Sequence, residues 1–369
     1  MKIKVFVERL LYTPSSKESF FRKLLLFPLS LLSLLYRFIV QSRQTLYNRG
    51  ILKTHHLPCQ VISIGNITLG GTGKTPTAIY LAQLFQNKGI PPVVLSRGYK
   101  AQNSAATAVV SDGTTTFMDA NKAGDEPFLL SQALPGVPVI IGADRVVSGH
   151  FACKEFSPAV VILDDGFQHQ RIKRDVDIVL IDLHHGFGNG HLLPRGILRE
   201  PLNSLSRASL FLLTKQMNRG SDQELKEQIR RFNPDAPIFH TRYKVCSVRN
   251  LTEHKEVPLN HLQGKKVLAL SGIGNPHYFS FLLKQSGMLV TEEWTLPDHH
   301  DYTEKDTARV RDYLSCVDYI VTTAKDSCKM NRKLFHDLPI LTLEVVLQID
   351  NEQHFKDTLF KLIACKEIS

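Results

Sequence analysis

Short apolar runs recur along the chain and alternate with stretches that have the apolar spacing of helices. Six such runs, each of four to six mostly apolar residues, lie at 61–65, 92–96, 137–142, 159–163, 177–181 and 210–213. Helix patterns lie at 76–87 and 128–134. Continuous apolar runs separated by helices are typical of parallel strands that are covered on both faces. The pattern therefore predicts an α/β fold whose ligand lies at the carboxyl ends of the strands.

The pattern changes beyond residue 237. Residues 238–262 alternate in the manner of short strands joined by charged turns, which predicts a linker ribbon. A second α/β region begins at Lys266, with predicted strands at 267–270, 318–322 and 340–344 and a helix at 277–286. We therefore predict four segments, namely a helix within 1–50, an α/β domain over 51–237, a linker over 238–265 and a second α/β domain over 266–369.

A loop of small residues follows the first apolar run. It reads NITLGGTGKT over 66–75. Such a loop lets backbone N–H groups converge on phosphate oxygens, while the Lys reaches the β- and γ-phosphates and the last hydroxyl binds Mg²⁺. The general pattern has Gly where this chain has Thr68, yet nearby glycines supply the permissive backbone. The predicted nucleotide-binding residues are Thr68, Leu69, Gly70, Gly71, Thr72, Gly73, Lys74 and Thr75.

Two carboxylates follow the run at 159–163. An apolar strand that ends in Asp164 and Asp165 is what phosphate-loop folds use to hold Mg²⁺. The order of loop and acidic strand end predicts a nucleotide-binding domain with a metal at Thr75, Asp164 and Asp165. The tail Gly166-Phe167-Gln168-His169 adds polar groups beside the predicted metal.

Charge and cysteine content narrow the function classes. The six cysteines form no CxxC pair, which argues against a disulfide framework or a zinc site and indicates a reducing compartment. The net charge is +10, but residues 1–50 alone carry nine Lys or Arg and two Asp or Glu, a net of +7. The other 319 residues carry 36 and 33, a net of +3. The basic excess is therefore confined to the N-terminus, and nucleic acid is not the expected partner.

The N-terminal segment combines this charge with an apolar stretch at 24–40. Its charge-free part, 24–36, has 13 residues, whereas a bilayer core needs about 20. Its polar side chains recur on one helical stripe, namely Lys23, Ser30, Ser33, Arg37, Gln41 and Gln44. We predict a helix that lies in the headgroup region, with its apolar face toward the lipid and Pro28 kinking it or marking its start. The side chains expected to meet anionic lipid are Arg22, Lys23, Arg37, Arg43 and Arg49.

Other interpretations of this segment stay open. A secretory signal peptide would need a small-x-small cleavage site after the apolar run, and the chain has none there. A core helix of a soluble protein and a single membrane-spanning anchor remain alternatives to the interfacial helix.

Six motifs in one order carry a family resemblance. They are IGNITLGGTGKTP, SRGY, GDEP, DDGFQH, FGNGHLLPRGILREP and PDHH. Together they resemble the tetraacyldisaccharide 4'-kinases, which use ATP to phosphorylate a membrane-embedded acylated glucosamine disaccharide in the lipid A pathway. The family shares the loop without the first Gly. The resemblance implies ATP and Mg²⁺ as cofactors and the cytoplasmic face of the bacterial inner membrane as the location. We further expect a lipid substrate, anionic lipid as a partner and a monomer.

The resemblance also implies roles for single residues. Asp125 of GDEP and His299 of PDHH correspond to a catalytic dyad, in which the carboxylate accepts the proton of the sugar hydroxyl. The candidate substrate contacts are Arg97, Glu126, Gln168, His169 and Arg199. Arg195 and Ile197 replace small residues of the family pattern. The segment TTAKD lacks the usual Glu, which leaves the roles of Lys325 and Asp326 open.

Two rival functions can be separated from a kinase. A GTPase switch would need [NT]KxD after a strand, but Thr214-Lys215-Gln216-Met217 has Met where Asp is required. A membrane-bound ATPase or scaffold would consume ATP without a lipid acceptor. For the kinase, we expect that closure of the two predicted α/β domains brings His299 to the site.

Overall fold

The structure is a computed structural model that describes residues 26–98, 107–217, 222–253, 255–331 and 333–364. The predicted lipid contacts at Arg22 and Lys23, and Tyr99 of SRGY, lie outside the described residues. The chain divides into two compact units, and each takes segments from both halves of the sequence. Unit 1 comprises Met1–Lys74, Ala159–Thr241 and Ile349–Ser369, and unit 2 comprises Thr75–Pro158 and Arg242–Gln348. The predicted domain boundaries stay a prediction.

The elements alternate between strands and helices over most of the chain. The strands are β1 (Gln60–Gly65), β2 (Pro92–Ser96), β3 (Ala108–Ser111), β4 (Val139–Ile141), β5 (Val160–Asp164), β6 (Val176–Asp182), β7 (Leu210–Thr214), β8 (Ile238–Asn250), β9 (Glu256–Val257), β10 (Lys266–Ser271), β11 (Leu289–Thr295), β12 (Tyr319–Thr323) and β13 (Ile340–Ile349). The α-helices are α1 (Phe27–Asn48), α2 (Lys74–Asn87), α3 (Ala120–Ala123), α4 (Asp125–Ala133), α5 (Arg145–Phe156), α6 (Gln223–Arg230), α7 (Pro276–Gln285), α8 (Glu304–Asp312), α9 (Ala324–Ser327) and α10 (Glu352–Ala364). Short 3₁₀ turns lie at Leu202–Arg207, Leu259–Leu262 and Tyr313–Ser315.

Unit 1 is built on parallel strands. In it β1 pairs with β5 on one side and β6 on the other, and β7 joins β6 to the start of β8. Nearly every residue of β1, β5, β6 and β7 is buried, as expected for strands that are covered on both faces. An apolar cluster that includes Phe167, Phe187 and Phe211 packs against them. Because the strands are parallel, the residues that follow β1, β5, β6 and β7 emerge at one edge.

Unit 2 contains two strand groups. In one, β2 pairs in parallel with β4, and β3 pairs antiparallel with β4. In the other, β10 lies between β11 and β12, and β13 pairs with β12, all in parallel. Leu268, Leu270, Trp294 and Phe335 lie in the apolar cluster of the second group. The predicted α/β class is confirmed.

Three regions differ from the sequence prediction. The predicted short strands of 238–262 are instead one long strand, β8, followed by the two-residue β9 that pairs back on it. Strand β11 reads LVTEEWT and has three exposed residues at its centre. The sequence therefore has no continuous apolar run from which this strand could be predicted. Residues 107–123 contain β3 and α3, where the sequence showed neither an apolar run nor a helix pattern.

Helix α1 begins beside Pro28, which lies in its first turn. Ser30 and Ser33 of its polar stripe contact the segment 192–199 of unit 1, whereas Arg37 of the stripe is exposed. The Ser33 hydroxyl donates to the Leu192 carbonyl over 2.8 Å, Tyr36 donates to the Arg199 carbonyl over 2.9 Å, and the Arg195 guanidinium donates to Ser30 Oγ over 2.7 Å. The opposite face exposes large apolar side chains, namely Phe27, Leu31, Leu32, Leu34, Leu35, Phe38 and Ile39. Among the described residues, no helix combines the length and apolar content needed to cross a membrane.

Candidate active site

The phosphate loop connects β1 to α2, as predicted. Gly70 and Gly73 have φ angles of 106° and 97°, which residues with a side chain rarely adopt. Gly65 ends β1 against Phe167, where a Cβ would collide. The loop is tied at its start to the segment after residue 190, because Leu69 N–H donates to the Ile197 carbonyl over 2.7 Å. Ile197 thus holds the start of the loop through its backbone carbonyl.

Lys74 begins α2 and lies in a cluster of polar side chains within unit 1. Its ammonium is 3.5 Å from Asn66 Oδ1 and 3.7 Å from Asp165 Oδ1. Arg199 holds the same Asp165 with two nitrogens, at 2.9 and 3.2 Å, and donates to Asn66 Oδ1 over 3.2 Å. A bidentate guanidinium–carboxylate pair is geometrically specific. Arg199, a predicted substrate contact, therefore lies next to the predicted phosphate-binding Lys.

The end of β7 holds the phosphate loop from a second side. The hydroxyl of Thr214 donates to the Thr72 carbonyl over 2.8 Å. Lys215 donates to the Gly71 carbonyl and pairs with Asp182 over 2.8 Å. Burial raises the pKa of Asp182, but His185 and Lys215 outweigh it and hold that pKa far below its usual range. The residue pair Thr214-Lys215 thus fixes two successive carbonyls of the loop.

A cavity of about 740 Å³ lies beside these residues in unit 1. Its lining includes Phe187, Lys215, Gln216 and Met217. In an [NT]KxD motif, the carboxylate of the Asp accepts hydrogen bonds from the guanine base. This chain has Met217 at that position, and its thioether is only a weak acceptor. The cavity therefore lacks the guanine-reading group at that position.

The remaining predicted residues of unit 1 lie after β5. Asp164 ends the strand and is buried, and Asp165 follows with a φ of 55°. Gln168 donates to the Asn66 carbonyl over 2.8 Å, which places it at the loop. His169 lies in the same turn, with its N–H donating to the Gly166 carbonyl. Within the described ranges, no three His, Cys, Asp or Glu side chains form a metal-binding group.

Asp125 and His299 form a direct contact inside unit 2. His299 Nδ1 lies 2.8 Å from Asp125 Oδ2, and the two side chains are 17% and 13% exposed. Asp125 is the first residue of α4, and His299 has a φ of 59° in the turn after β11. Burial raises the pKa of Asp125, but the hydrogen bond with His299 and the charges of Lys329, His299 and Lys325 lower it below its usual range. The structure thus brings together the two predicted catalytic residues, which are 174 positions apart.

Lysines surround this pair. Lys325 contacts Glu126 over 3.0 Å and Asp298 over 3.2 Å. Burial lowers the pKa of Lys325, and its two carboxylate partners outweigh that effect and raise it. Lys329, which no sequence motif singled out, lies 3.5 Å from Asp125 Oδ2. The one signal for it is the spacing of four residues from Lys325, which is one helical turn.

Two further predicted site residues, Thr75 and Arg97, have no described contact with the cluster around Lys74 or with the cluster around Asp125. Thr75 is buried in the first turn of α2, next to Lys74 in sequence. Arg97 is exposed just after β2, and no described contact ties it to another predicted residue. The predicted site residues therefore form one group in unit 1 and another in unit 2.

Known proteins match most of the chain. A family model described as tetraacyldisaccharide-1-P 4'-kinase matches residues 23–364. The tetraacyldisaccharide 4'-kinase of Halothermothrix orenii is 39% identical over an alignment of 355 positions, and the match covers 90% of this chain and 92% of that protein. That of Syntrophus aciditrophicus is 38% identical over an alignment of 345 positions, and the match covers 91% of this chain and 92% of that protein. The crystal structure of LpxK from Aquifex aeolicus in complex with ATP has a TM-score of 0.70 and 34% identity, and the match covers 92% of this chain and 98% of that one. The resemblance indicated by the order of the motifs is confirmed.

Proposed function

Since this chain belongs to the tetraacyldisaccharide 4'-kinase family, we propose that it transfers the γ-phosphoryl group of ATP to the 4'-hydroxyl of a tetraacylated glucosamine disaccharide 1-phosphate. The enzyme is a kinase of lipid A biosynthesis. The observation that carries the proposed chemistry is the contact between Asp125 and His299.

Asp125 is the proposed general base. A sugar hydroxyl is a weak nucleophile, so a carboxylate within hydrogen-bond reach accepts its proton while the oxygen bonds to the γ-phosphorus and ADP leaves. The lowered pKa of Asp125 keeps the carboxylate ionised at neutral pH. His299 Nδ1 holds one oxygen of that carboxylate and so fixes its orientation.

The phosphate loop is the proposed ATP site. Its backbone N–H groups, together with Lys74, would bind the β- and γ-phosphates. Lys74 lies next to Asp165 in the structure, and a bound phosphate would offer it a more highly charged partner. Thr214 and Lys215 would keep the loop in its shape, because they hold the carbonyls of Thr72 and Gly71.

Mg²⁺ is a cofactor that the donor atoms fit. The hydroxyl of Thr75 and the carboxylate of Asp164 are the hard oxygen ligands that Mg²⁺ prefers, and this ion needs only one or two carboxylates beside phosphates and water. Asp164 is buried at the end of β5 and Asp165 pairs with Arg199 and Lys74, and both carboxylates are candidate ligands of the metal. When bound, the ion would neutralise charge on the phosphates.

Binding to the membrane surface is proposed from α1. Ser30 and Ser33 of its polar stripe contact the segment 192–199, and the face with Leu31, Leu35 and Phe38 is exposed and available to a partner. Phe38 is 68% exposed, and Arg37 and Arg49 lie exposed on the same helix or at its end. An apolar face with basic neighbours suits the surface of an anionic membrane. The cytoplasmic leaflet of the inner membrane would supply both the surface and the substrate.

The direct test of the reaction uses γ-labelled ATP and a purified acylated disaccharide 1-phosphate in mixed micelles. We expect label in the lipid, at the 4' position, and ATP consumption that depends on the lipid. ATP hydrolysis at the same rate without lipid would favour the ATPase alternative. GTP in place of ATP is the control for the nucleotide, and faster transfer from GTP would contradict the assignment.

The membrane proposal has a separate test. Leu35→Gln combined with Phe38→Gln should weaken cosedimentation with vesicles that contain phosphatidylglycerol, since it removes apolar area from the exposed face. The matched control is Phe117→Gln, which changes a similarly exposed side chain of unit 2. Equal sedimentation of the double variant and the control would contradict the proposal, and so would unchanged sedimentation after deletion of residues 1–45.

A further inference from the structure

Lys329 is a buried lysine next to the proposed catalytic base, Asp125. It follows α9 and is 5% exposed, so its ammonium is almost entirely withdrawn from water. Within the part of the chain that the structure describes, its Nζ has ion pairs but no hydrogen-bond partner. Burying an ammonium group costs free energy unless carboxylates compensate its charge. A buried lysine is therefore a candidate for a specific role.

The ammonium of Lys329 has two carboxylate partners, the fully buried Asp326 and the proposed base Asp125. Asp326 Oδ1 is 3.4 Å from the ammonium, and Asp125 Oδ2 is 3.5 Å from it. Asp326 is fully buried and fixed, because its carboxylate accepts from Gly272 N–H over 3.0 Å and from the Thr323 hydroxyl over 2.7 Å. The fixed Asp326 thus anchors Lys329 on one side. The other side of Lys329 is directed to the proposed catalytic base.

We propose that Lys329 is a positioning residue for the transfer reaction, which keeps Asp125 ionised and holds its Oδ2 so that Oδ1 receives the hydroxyl proton. The contacts of His299 and Lys329 fall on Oδ2, at 2.8 and 3.5 Å. Two cationic or donor groups on one oxygen leave the other oriented toward the acceptor. This inference rests on the proposed function, because it gives Lys329 a role only if Asp125 is the base.

The groups around Asp125 act on its carboxylate in opposite directions. His299, Lys329 and Lys325 favour the ionised carboxylate, and burial opposes them. Lys325 is divided between Glu126 and Asp298, and Asp298 also lies 4.0 Å from His299 Nε2. Asp326 is the nearby anion that competes for Lys329. Lys329 is therefore the lysine in direct contact with the base, and its loss leaves burial less opposed.

The test is the pH profile of kcat/KM for lipid phosphorylation. Lys329→Met keeps the length of the side chain and removes the charge. Its acid limb should move toward higher pH by about one unit, the size expected when an opposite charge within 4–6 Å of a carboxylate is lost. Lys329→Arg should restore the wild-type limb in large part. The control is Lys333→Met, which removes an exposed lysine nearby in sequence and should leave the profile unchanged.

A second variant guards against a folding defect of Lys329→Met. Asp326→Asn removes the competing anion, so the acid limb should move in the opposite direction, toward lower pH. An unchanged acid limb in Lys329→Met, or a lowered kcat with the limb in place, would overturn the proposal. Asp125→Asn separates the role of Asp125 as base from the role of Lys329 as positioning residue. If the wild-type protein transfers no phosphate to the lipid, the proposed function fails. If Asp125→Asn is fully active, Asp125 is not the base, and if it is inactive while Lys329→Met keeps the wild-type profile, only the role of Lys329 fails.

Discussion

The phosphate loop and the Asp125–His299 pair are built in different ways. The loop is contiguous in sequence, and most of what shapes it is backbone, with glycines at positive φ and carbonyls held by Thr214 and Lys215. The pair is assembled from side chains 174 positions apart, and Lys329 comes from a third segment. The first arrangement suits any nucleoside triphosphate, and the second supplies the base for a particular acceptor.

This difference separates binding from chemistry. A change in the loop should weaken ATP binding together with turnover, since both depend on the held phosphates. A change in the pair should reduce turnover and leave ATP binding intact, since the contact of Asp125 with His299 lies within unit 2 and the contacts of Lys74, Thr72 and Gly71 lie within unit 1. The account therefore predicts two classes of variant that do not overlap.

Lys74→Met should have the largest effect. Loss of the cation that faces the β- and γ-phosphates should lower kcat by about 10²–10³-fold, the usual cost of a preorganised charge at a reacting group. ATP affinity should fall as well, and calorimetric titration with ATP would measure it. The control is Lys53→Met, at an exposed lysine of unit 1. ATP binding that is unchanged in Lys74→Met would contradict the assignment of the loop.

His299→Ala should have a smaller effect, a fall in kcat of about 10–100-fold. The hydrogen bond from His299 lowers the pKa of Asp125, so its loss raises that pKa. Because the base works when ionised, activity is present above this pKa and is lost as the pH falls through it. The acid limb of the rate profile should therefore move to higher pH.

The neighbouring residue supplies the control for this variant. His300 pairs with a different carboxylate, Asp306, over 3.1 Å. His300→Ala should therefore keep the acid limb of the wild type. A shift in His300→Ala that equals that of His299→Ala would show that the two histidines had been confused.

Thr214→Val should have the smallest effect. It removes the hydrogen bond to the Thr72 carbonyl and leaves a buried acceptor without its partner, which costs about 1–3 kcal/mol. We expect ATP affinity to fall severalfold in a titration, with kcat little changed. Thr241→Val is the matched control, since Thr241 is also buried but donates to the Leu213 carbonyl. Equal ATP affinities in the two variants would contradict a role of Thr214 in shaping the loop.

Much of unit 1 could be predicted from the sequence because its signals are local. Strands β1, β5, β6 and β7 are buried on both faces and therefore read as continuous apolar runs. The loop reads directly from its glycines, Lys and Thr. Strand β11 was missed because its centre is exposed and charged.

The cluster around Asp125 could not be predicted from spacing. Nothing in the chain links Asp125, His299 and Lys329 until the fold brings them together, and only the family resemblance pointed to the first two. The direction of the polar stripe on α1 was also not determined by its period. A stripe of Ser and Gln could face water or protein equally well, and Leu192, Arg195 and Arg199 decide it by offering partners.

The most direct test of the central claim is a single-turnover experiment with Asp125→Asn. The variant is mixed with γ-labelled ATP and the acylated disaccharide 1-phosphate, while ATP binding is titrated in parallel. Asp119→Asn is the control, since Asp119 caps α3 through Lys122 N–H and Asn caps equally well. We predict ATP affinity equal to that of the wild type and transfer to lipid slowed by about 10²–10⁴-fold. Transfer at the wild-type rate, or loss of ATP binding in Asp125→Asn, would contradict the account.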